Sequence, residues 1–272
     1  MGTLGFNGLS NRTNRELAWR LIQLRSLGNG FSPRLLERVD EYLSTVCELH
    51  TPSYADPLQR PAHYFPGLTA KPFHEPAELD GTERLERAAD AIREEFLNIR
   101  SSPRFRPHPQ KLAEPGQWGA FHFYAYGHRI DRNHETCPGT SKVIDSIAGT
   151  AGAGIVYFSA LRDGTRVKAH HGVTNTRLRC QLSLFAEQGC GIRVGSETRS
   201  WEAGKCLVFD DSFEHEAWNF SGSERVVLIV DFWHPELTEW ERLAIRQINR
   251  LASRYRKYRK QVRNGLKAAD GR

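Results

Sequence analysis

The sequence predicts a mainly β fold, a closed sandwich or barrel of the jelly-roll type, with helices outside it at both ends of the chain. Two observations carry this expectation. Between Trp118 and Phe232, short segments that alternate or run apolar recur at roughly ten-residue spacing, separated by turn residues. Before and after that stretch the apolar spacing changes to the three- and four-residue steps of a helix.

Taken in order, residues 12–48 read as helical, with Leu17, Leu21, Ile22 and Leu24 first, then a break at Gly28-Asn29-Gly30. Ser32 is placed as a cap and Pro33 as a first helical residue, leading into Leu35, Leu36, Val39 and Leu43. Residues 50–76 contain six prolines and are expected to form an extended strap. A helix is predicted over 81–99, where GTERLERAADAIREEFLNI has helical apolar spacing.

Strands are expected at Gln117–Tyr126 and Ile155–Ser159. Arg177–Phe185 alternates, with Leu178, Cys180, Leu182 and Leu184 on one face. Further strands are expected at Gly191–Val194, Ser200-Trp201, Lys205–Phe209, Glu214–Phe220 and Arg225–Phe232, with turns at Gly195, Gly204 and Ser221-Gly222. A last amphipathic helix carries Ile248, Leu251, Tyr255, Tyr258, Val262 and Leu266. The expected division is a helical extension and strap over 1–63, a β domain over 64–237 and a basic helix over 238–272.

Composition narrows the function classes. At 272 residues, with 39% hydrophobic and 26% charged residues, the chain has the makeup of a globular protein that buries a sizeable core. No run of eighteen apolar residues is present, so no membrane-spanning helix is expected, and the N-terminus has no signal-peptide pattern. Five cysteines, odd in number and without a CxxC pair, point to a reducing cytoplasm. The net charge of +6 is uneven: Glu241–Arg272 holds eleven Lys or Arg against two acids, which leaves the first 240 residues at about −3. With a slightly acidic body and no binding motif, nucleic acid is not the expected partner. The basic tail reads as a solvated helix face, a dock for an acidic protein, or a segment for an anionic membrane surface.

Two histidines stand out as candidate metal ligands, although a pair of histidines in a β protein is more often surface or core than metal-binding. His170, in Lys-Ala-His-His-Gly, is expected at the entrance to the alternating strand, and His215 follows 45 residues later in DDSFEHEAWNF, after a short apolar strand. Imidazole suits iron, and the usual non-haem iron site adds a carboxylate. Two positions after His170 stands Gly172, which supplies no ligand. Arg177, Arg179 and Arg225 lie in strand-like segments, where a buried guanidinium needs an anion. Several arginines converging on a pocket point to an acid ligand; pairing with Asp210, Asp211 or Asp231 is the alternative. His171 is an alternative ligand, but adjacent strand residues point to opposite faces, so it is expected to face away from His170. His122 and His128 flank a strand and are expected to face solvent, His234 to be structural, and Cys180 and Cys206 to lie in the core.

Over Tyr64–Leu237 the chain resembles the aspartyl/asparaginyl β-hydroxylase family. The matching blocks are YFPGLTAKPF at 64–73, HHGVTNTRLR at 170–179, GKCLVFDDSFEHEAWN at 204–219 and RVVLIVDFWHPEL at 225–237. The resemblance implies a cupin-like jelly roll known as a double-stranded β-helix. It also implies an oxygenase that uses Fe(II), 2-oxoglutarate and O2 to insert a hydroxyl at an unactivated C–H bond. It makes His170 and His215 the iron ligands, and gives Arg225 and Ser159 the distal carboxylate of 2-oxoglutarate. Arg179 would help hold the carboxylate near the metal, Asp211 would position a metal-bound water, and Trp118 would lie near the substrate cleft.

The family also lacks the iron carboxylate, in keeping with Gly172. One departure stands out: Gln181 occupies a position that usually holds histidine, two residues after Arg179, where its amide can still donate to the co-substrate. The implied substrate is a small molecule, a peptide or a carrier-tethered group. Two other readings stay open. One is halogenation, with chloride beside Gly172; the other is a non-catalytic jelly-roll binding protein.

Overall fold

The computed structural model describes residues 33–46, 51–114, 117–125, 127–147 and 149–250. The segments 12–32 and 251–266, where further helix is expected, lie outside them. The described chain divides into two compact units. One holds the described residues up to Thr51 and from Thr238 onward, and the other runs from Pro52 to Leu237.

In the first unit, helix α1 (Pro33–Val46) begins on the predicted proline, which fits because a first helical residue needs no N–H partner. A second helix covers 239–250. Its start is a capping box: Thr238 Oγ1 accepts from the Glu241 N–H, and the Glu241 carboxylate accepts from the Thr238 N–H. Within this unit Tyr42 donates to Asn249 at 3.1 Å, and Arg38 pairs with the buried Glu241 at 3.4 Å.

The second unit is a double-stranded β-helix. Its strands are β1 (Phe73–His74), β2 (Arg106–Pro107), β3 (Trp118–Ala125), β4 (His128–Arg129), β5 (Ile155–Leu161), β6 (Thr165–His170), β7 (Arg177–Phe185), β8 (Cys190–Val194), β9 (Glu197–Arg199), β10 (Cys206–Phe209), β11 (His215–Asn219) and β12 (Arg225–Trp233). Two antiparallel sheets form. The major one runs β1-β10-β7-β12-β5-β3-β2 with β4 beside β3, and the minor one runs β6-β11-β8-β9. The three predicted turns all have left-handed backbone, at Gly195, Gly204 and Gly222.

Alternation gives the major sheet two faces of different chemistry. Leu178, Cys180, Leu182, Leu184, Val226, Leu228 and Val230 lie on the outer face, in one core cluster with helical residues Leu85, Ile92, Phe96 and Ile144. Those residues come from α2 (Thr82–Arg87), α3 (Ala89–Ile99) and α5 (Pro138–Ser146). Phe96 meets Phe158 edge-on at 5.5 Å, a favoured aromatic geometry. The inner face places Tyr157, Val227 and Ile229 against Ile192 and Val194 of the minor sheet. Because β strands have period two, Ser159, Gln181, Arg179 and Arg225 share this inner face through the pairs Ser159–Val227, Gln181–Ile229 and Arg179–Asp231.

Several expectations need correction. The helix predicted over 81–99 is two helices, broken at Ala88. The strand expected at Ser200-Trp201 is Glu197–Arg199 instead, with Trp201 drawn into the interior just beyond it. His170 does not open the alternating strand; it ends β6, a strand of its own in the other sheet. The helices at 131–136 and 138–146 were not anticipated.

The strap is stitched to the β body. Asn175 holds Phe65 by two backbone bonds of 2.7 and 2.9 Å, and Gln59 donates to Asp210 at 2.8 Å. Among the described residues no helix is long and apolar enough to cross a membrane. The described cysteines Cys137, Cys180, Cys190 and Cys206 are all buried free thiols.

Candidate metal centre and anion pocket

His170 and His215 face each other across one ladder position of β6 and β11, with ring centroids 4.1 Å apart. Both rings are oriented the same way. His170 Nδ1 lies 2.8 Å from the Lys168 carbonyl, and His215 Nδ1 lies 2.9 Å from the Phe213 carbonyl. A carbonyl only accepts, so each Nδ1 carries the proton and each Nε2 is left with a lone pair for a metal. Burial lowers both pKa values, which keeps the rings neutral as ligation requires. Among the described residues no group of three or more His, Cys, Asp or Glu gathers into a metal cage.

Asp211 sits beside this pair. The Gly172 N–H donates to the Asp211 carbonyl, and a Cβ at Gly172 would overlap the Asp211 carboxylate. The place where a third ligand's side chain would begin is therefore filled by Asp211. Its Oδ2 is 3.0 Å from Arg179, while its buried Oδ1 has no hydrogen-bond partner among the described residues. An orphaned carboxylate oxygen next to two free imidazole lone pairs fits a hydrated cation, since a metal-bound water would donate to it. The donor set accordingly fits an iron(II) site with two protein ligands and bound water.

The arginines divide into two kinds. Arg179 donates to Asp231 at 2.9 Å and pairs with Asp211 at 3.0 Å, and Arg177 stands 3.4 Å from Asp231. Burial opposes the Arg179 charge, but Asp211 and Asp231 hold its pKa above the usual guanidinium value. Asp210 is held by Gln59 and Ser212 and pairs with no arginine among the described residues. Arg225 is also buried but has no carboxylate; its Nε is unpartnered among the described residues, and its guanidinium lies 4.7 Å over the Trp201 ring. Burial pulls its pKa down to about 10. A buried cation without an anion marks where a ligand anion belongs.

The neutral candidates share the inner face with Arg225, Ser159 opposite Val227 and Gln181 opposite Ile229. Ser159 Oγ accepts from Trp118 Nε1 at 2.9 Å, and Gln181 Oε1 accepts from Trp201 Nε1 at 3.0 Å. Trp118 stacks on His108 at 3.5 Å, and His122 stacks on Tyr157 at 4.8 Å. His122 is thus half-buried in an aromatic wall rather than turned to solvent; His128 is exposed, as expected. His108, Tyr157 and Trp201 were not anticipated. His108 lies in a polar proline-rich stretch and Trp201 in a turn, so neither carries a periodic signal. His108 has its pKa lowered to about 3, by burial first and then by His122, Arg179 and His170.

Two imidazole lone pairs, an unsatisfied carboxylate and a buried arginine with no carboxylate partner among the described residues lie inside a jelly roll, a set of groups that would suit a metal ion beside an anion. The family model for aspartyl/asparaginyl beta-hydroxylase matches residues 86–235, and the chain belongs to that family.

The mouse aspartyl/asparaginyl beta-hydroxylase is 38% identical over 200 residues, covering 71% of this chain and 27% of its own length. The mouse aspartate beta-hydroxylase domain-containing protein 2 is 36% identical, over 69% of this chain and 58% of its own. The chain thus spans about a quarter to just over half of these relatives. Among solved structures, a Trichoplax adhaerens prolyl hydroxylase bound to a peptide aligns with TM-score 0.40 and 12% identity, over 58% of this chain and 81% of its own.

Proposed function

We propose that the protein is an Fe(II)- and 2-oxoglutarate-dependent hydroxylase acting at an unactivated C–H bond. The observation that carries this reading is the histidine pair, with both Nδ1 atoms committed to carbonyls and both Nε2 atoms free. His170 and His215 would hold the iron. When bound, iron(II) with O2 supplies the oxidising power, 2-oxoglutarate losing CO2 to become succinate as the substrate carbon gains a hydroxyl.

The protein's own groups bind and orient. Arg225, Ser159 and Gln181 would take the distal carboxylate of 2-oxoglutarate. Arg179 has five N–H groups, of which three are used on the two aspartates, so it still has donors for the proximal carboxylate. Asp211 would accept a hydrogen bond from water on the metal through its free Oδ1 and so position it. The wall of Trp118, His108, His122 and Tyr157 would seat the substrate, and the neutral state of the histidines removes competing charge beside the metal.

The proposed substrate is an Asp- or Asn-like residue, hydroxylated at its β-carbon, or another amino-acid or acyl group, presented free, in a peptide or on a carrier. The basic C-terminal segment is proposed to meet an acidic protein or an anionic membrane surface. The buried free thiols fit a cytoplasmic location.

The test is iron-dependent conversion of 2-oxoglutarate to succinate by purified protein, together with iron binding. His170→Ala and His215→Ala should each abolish both. Succinate formation that survives either substitution overturns the assignment of the ligands.

A further inference from the structure

Two tryptophans determine what the anion pocket offers. Trp118 comes from β3 and Trp201 from the turn after β9, and both are buried on the inner side of the major sheet. An indole nitrogen donates and never accepts. The atom of Gln181 facing Trp201 at 3.0 Å must therefore be the amide oxygen, which fixes an otherwise ambiguous flip. The amide nitrogen is left on the other side. Trp118 likewise occupies a lone pair of Ser159 Oγ at 2.9 Å and leaves the hydroxyl proton to be given elsewhere.

Among the described residues neither of these donors is used, and Arg225 has no carboxylate partner. Trp201 acts on two of the three groups. Its edge fixes Gln181, and its face carries the Arg225 guanidinium at 4.7 Å.

We propose that Trp201 and Trp118 are positioning residues that make this pocket donor-only, so that it selects a 2-oxo acid ending in a carboxylate over the same acid ending in a carboxamide. A carboxylate accepts from all three groups. A carboxamide would bring its own N–H groups against them and leave buried donors opposed. The inference also explains how glutamine serves at position 181. Once its oxygen is held, the amide presents a donor that does not depend on protonation.

This inference rests on the co-substrate reading above, and the test separates the two. 2-Oxoglutarate and 2-oxoglutaramate, its distal amide, are titrated calorimetrically into oxygen-free, Mn(II)-loaded full-length protein. The wild type should prefer 2-oxoglutarate by at least about a hundredfold. Trp201→Phe keeps a ring under Arg225 but removes the N–H together with part of the indole's bulk; it should cut the preference about tenfold, mainly by weakening 2-oxoglutarate. Trp118→Phe should act in the same direction through Ser159.

Gln181→Glu keeps the acceptor for Trp201 but replaces the donor with an oxygen, and should abolish the preference. If both Phe variants bind with the wild-type preference to within twofold, the inference is overturned. Should either fail to fold, Gln181→Glu decides, and retention of the preference there overturns it. Wild-type protein that binds neither ligand, with Arg225→Met unchanged, removes the co-substrate reading itself and the inference with it.

Discussion

The two ends of the inner sheet face hold buried arginines in opposite circumstances. Arg179, beside the histidine pair, is clamped between Asp211 and Asp231. Arg225, at the far end of β12, has an indole face and, among the described residues, no carboxylate. The sequence presents both simply as arginines in apolar strands. The difference separates a cation that belongs to the fold from one that belongs to a ligand, because desolvating a guanidinium is tolerable only where an anion compensates it.

The largest expected effect breaks this contrast directly. Arg179→Met leaves Asp211 and Asp231 buried against Arg177 alone, and should destabilise the protein by about 3–5 kcal/mol. Arg225→Met removes an uncompensated charge. It should leave Tm within about 2 °C of the wild type or above it, while 2-oxoglutarate binding weakens about a hundredfold. Thermal melts and titration of the two variants side by side check both halves. Equal stability losses would mean that Arg225 has a structural partner after all.

A smaller effect sharpens the metal end. Gly172→Ala puts a methyl group into the Asp211 carboxylate and should cost about 1–3 kcal/mol through overpacking. The same substitution should weaken metal binding, because Asp211 must move. Gly172→Asp, which supplies the missing carboxylate on paper, should not build a three-ligand site, since the space is already taken. Metal affinity that rises in Gly172→Asp would show that Asp211 yields easily.

Where the sequence was legible, burial had imposed a period. β7 and β12 are covered on both faces, so alternation in RLRCQLSLF and the apolar run RVVLIVDFW stand out. β6 was hidden because TRVKAH has mostly exposed side chains, with Thr165 and Val167 its buried ones. Its consequence was the misplacement of His170, although the residue itself was marked as a ligand. Helices α4 (Asp131–Thr136) and α5 were hidden by a polar stretch with Pro138 at its centre; only the fold reveals that this proline starts the second helix. The histidines, Asp211 and the arginines were legible through the family blocks. Trp201 was not, because a hydrogen bond to a residue twenty positions away leaves no local pattern.

The smallest effect concerns two adjacent aspartates and repeats the contrast within one turn. Asp211 has Arg179 as a cationic partner, whereas Asp210 has, among the described residues, only Gln59 and Ser212, and burial raises its pKa to about 7 despite those hydrogen bonds. The folded protein therefore keeps this proton up to about pH 7, while the unfolded chain releases it near the ordinary aspartate value of 3.8. Between those values the folded state binds more protons, so the contribution of Asp210 to stability is full at low pH and is lost as pH rises through 7.

Asp210→Asn removes that slope and keeps an oxygen for Ser212. The Tm difference, variant minus wild type, should climb from pH 5 and level off above about pH 7 by circular dichroism. Subtracting the wild type at each pH cancels the opposing titration of the buried histidines. A difference that stays flat over this range would mean that Asp210 is already ionised when folded, held by its hydrogen bonds as firmly as Asp211 is held by its arginine.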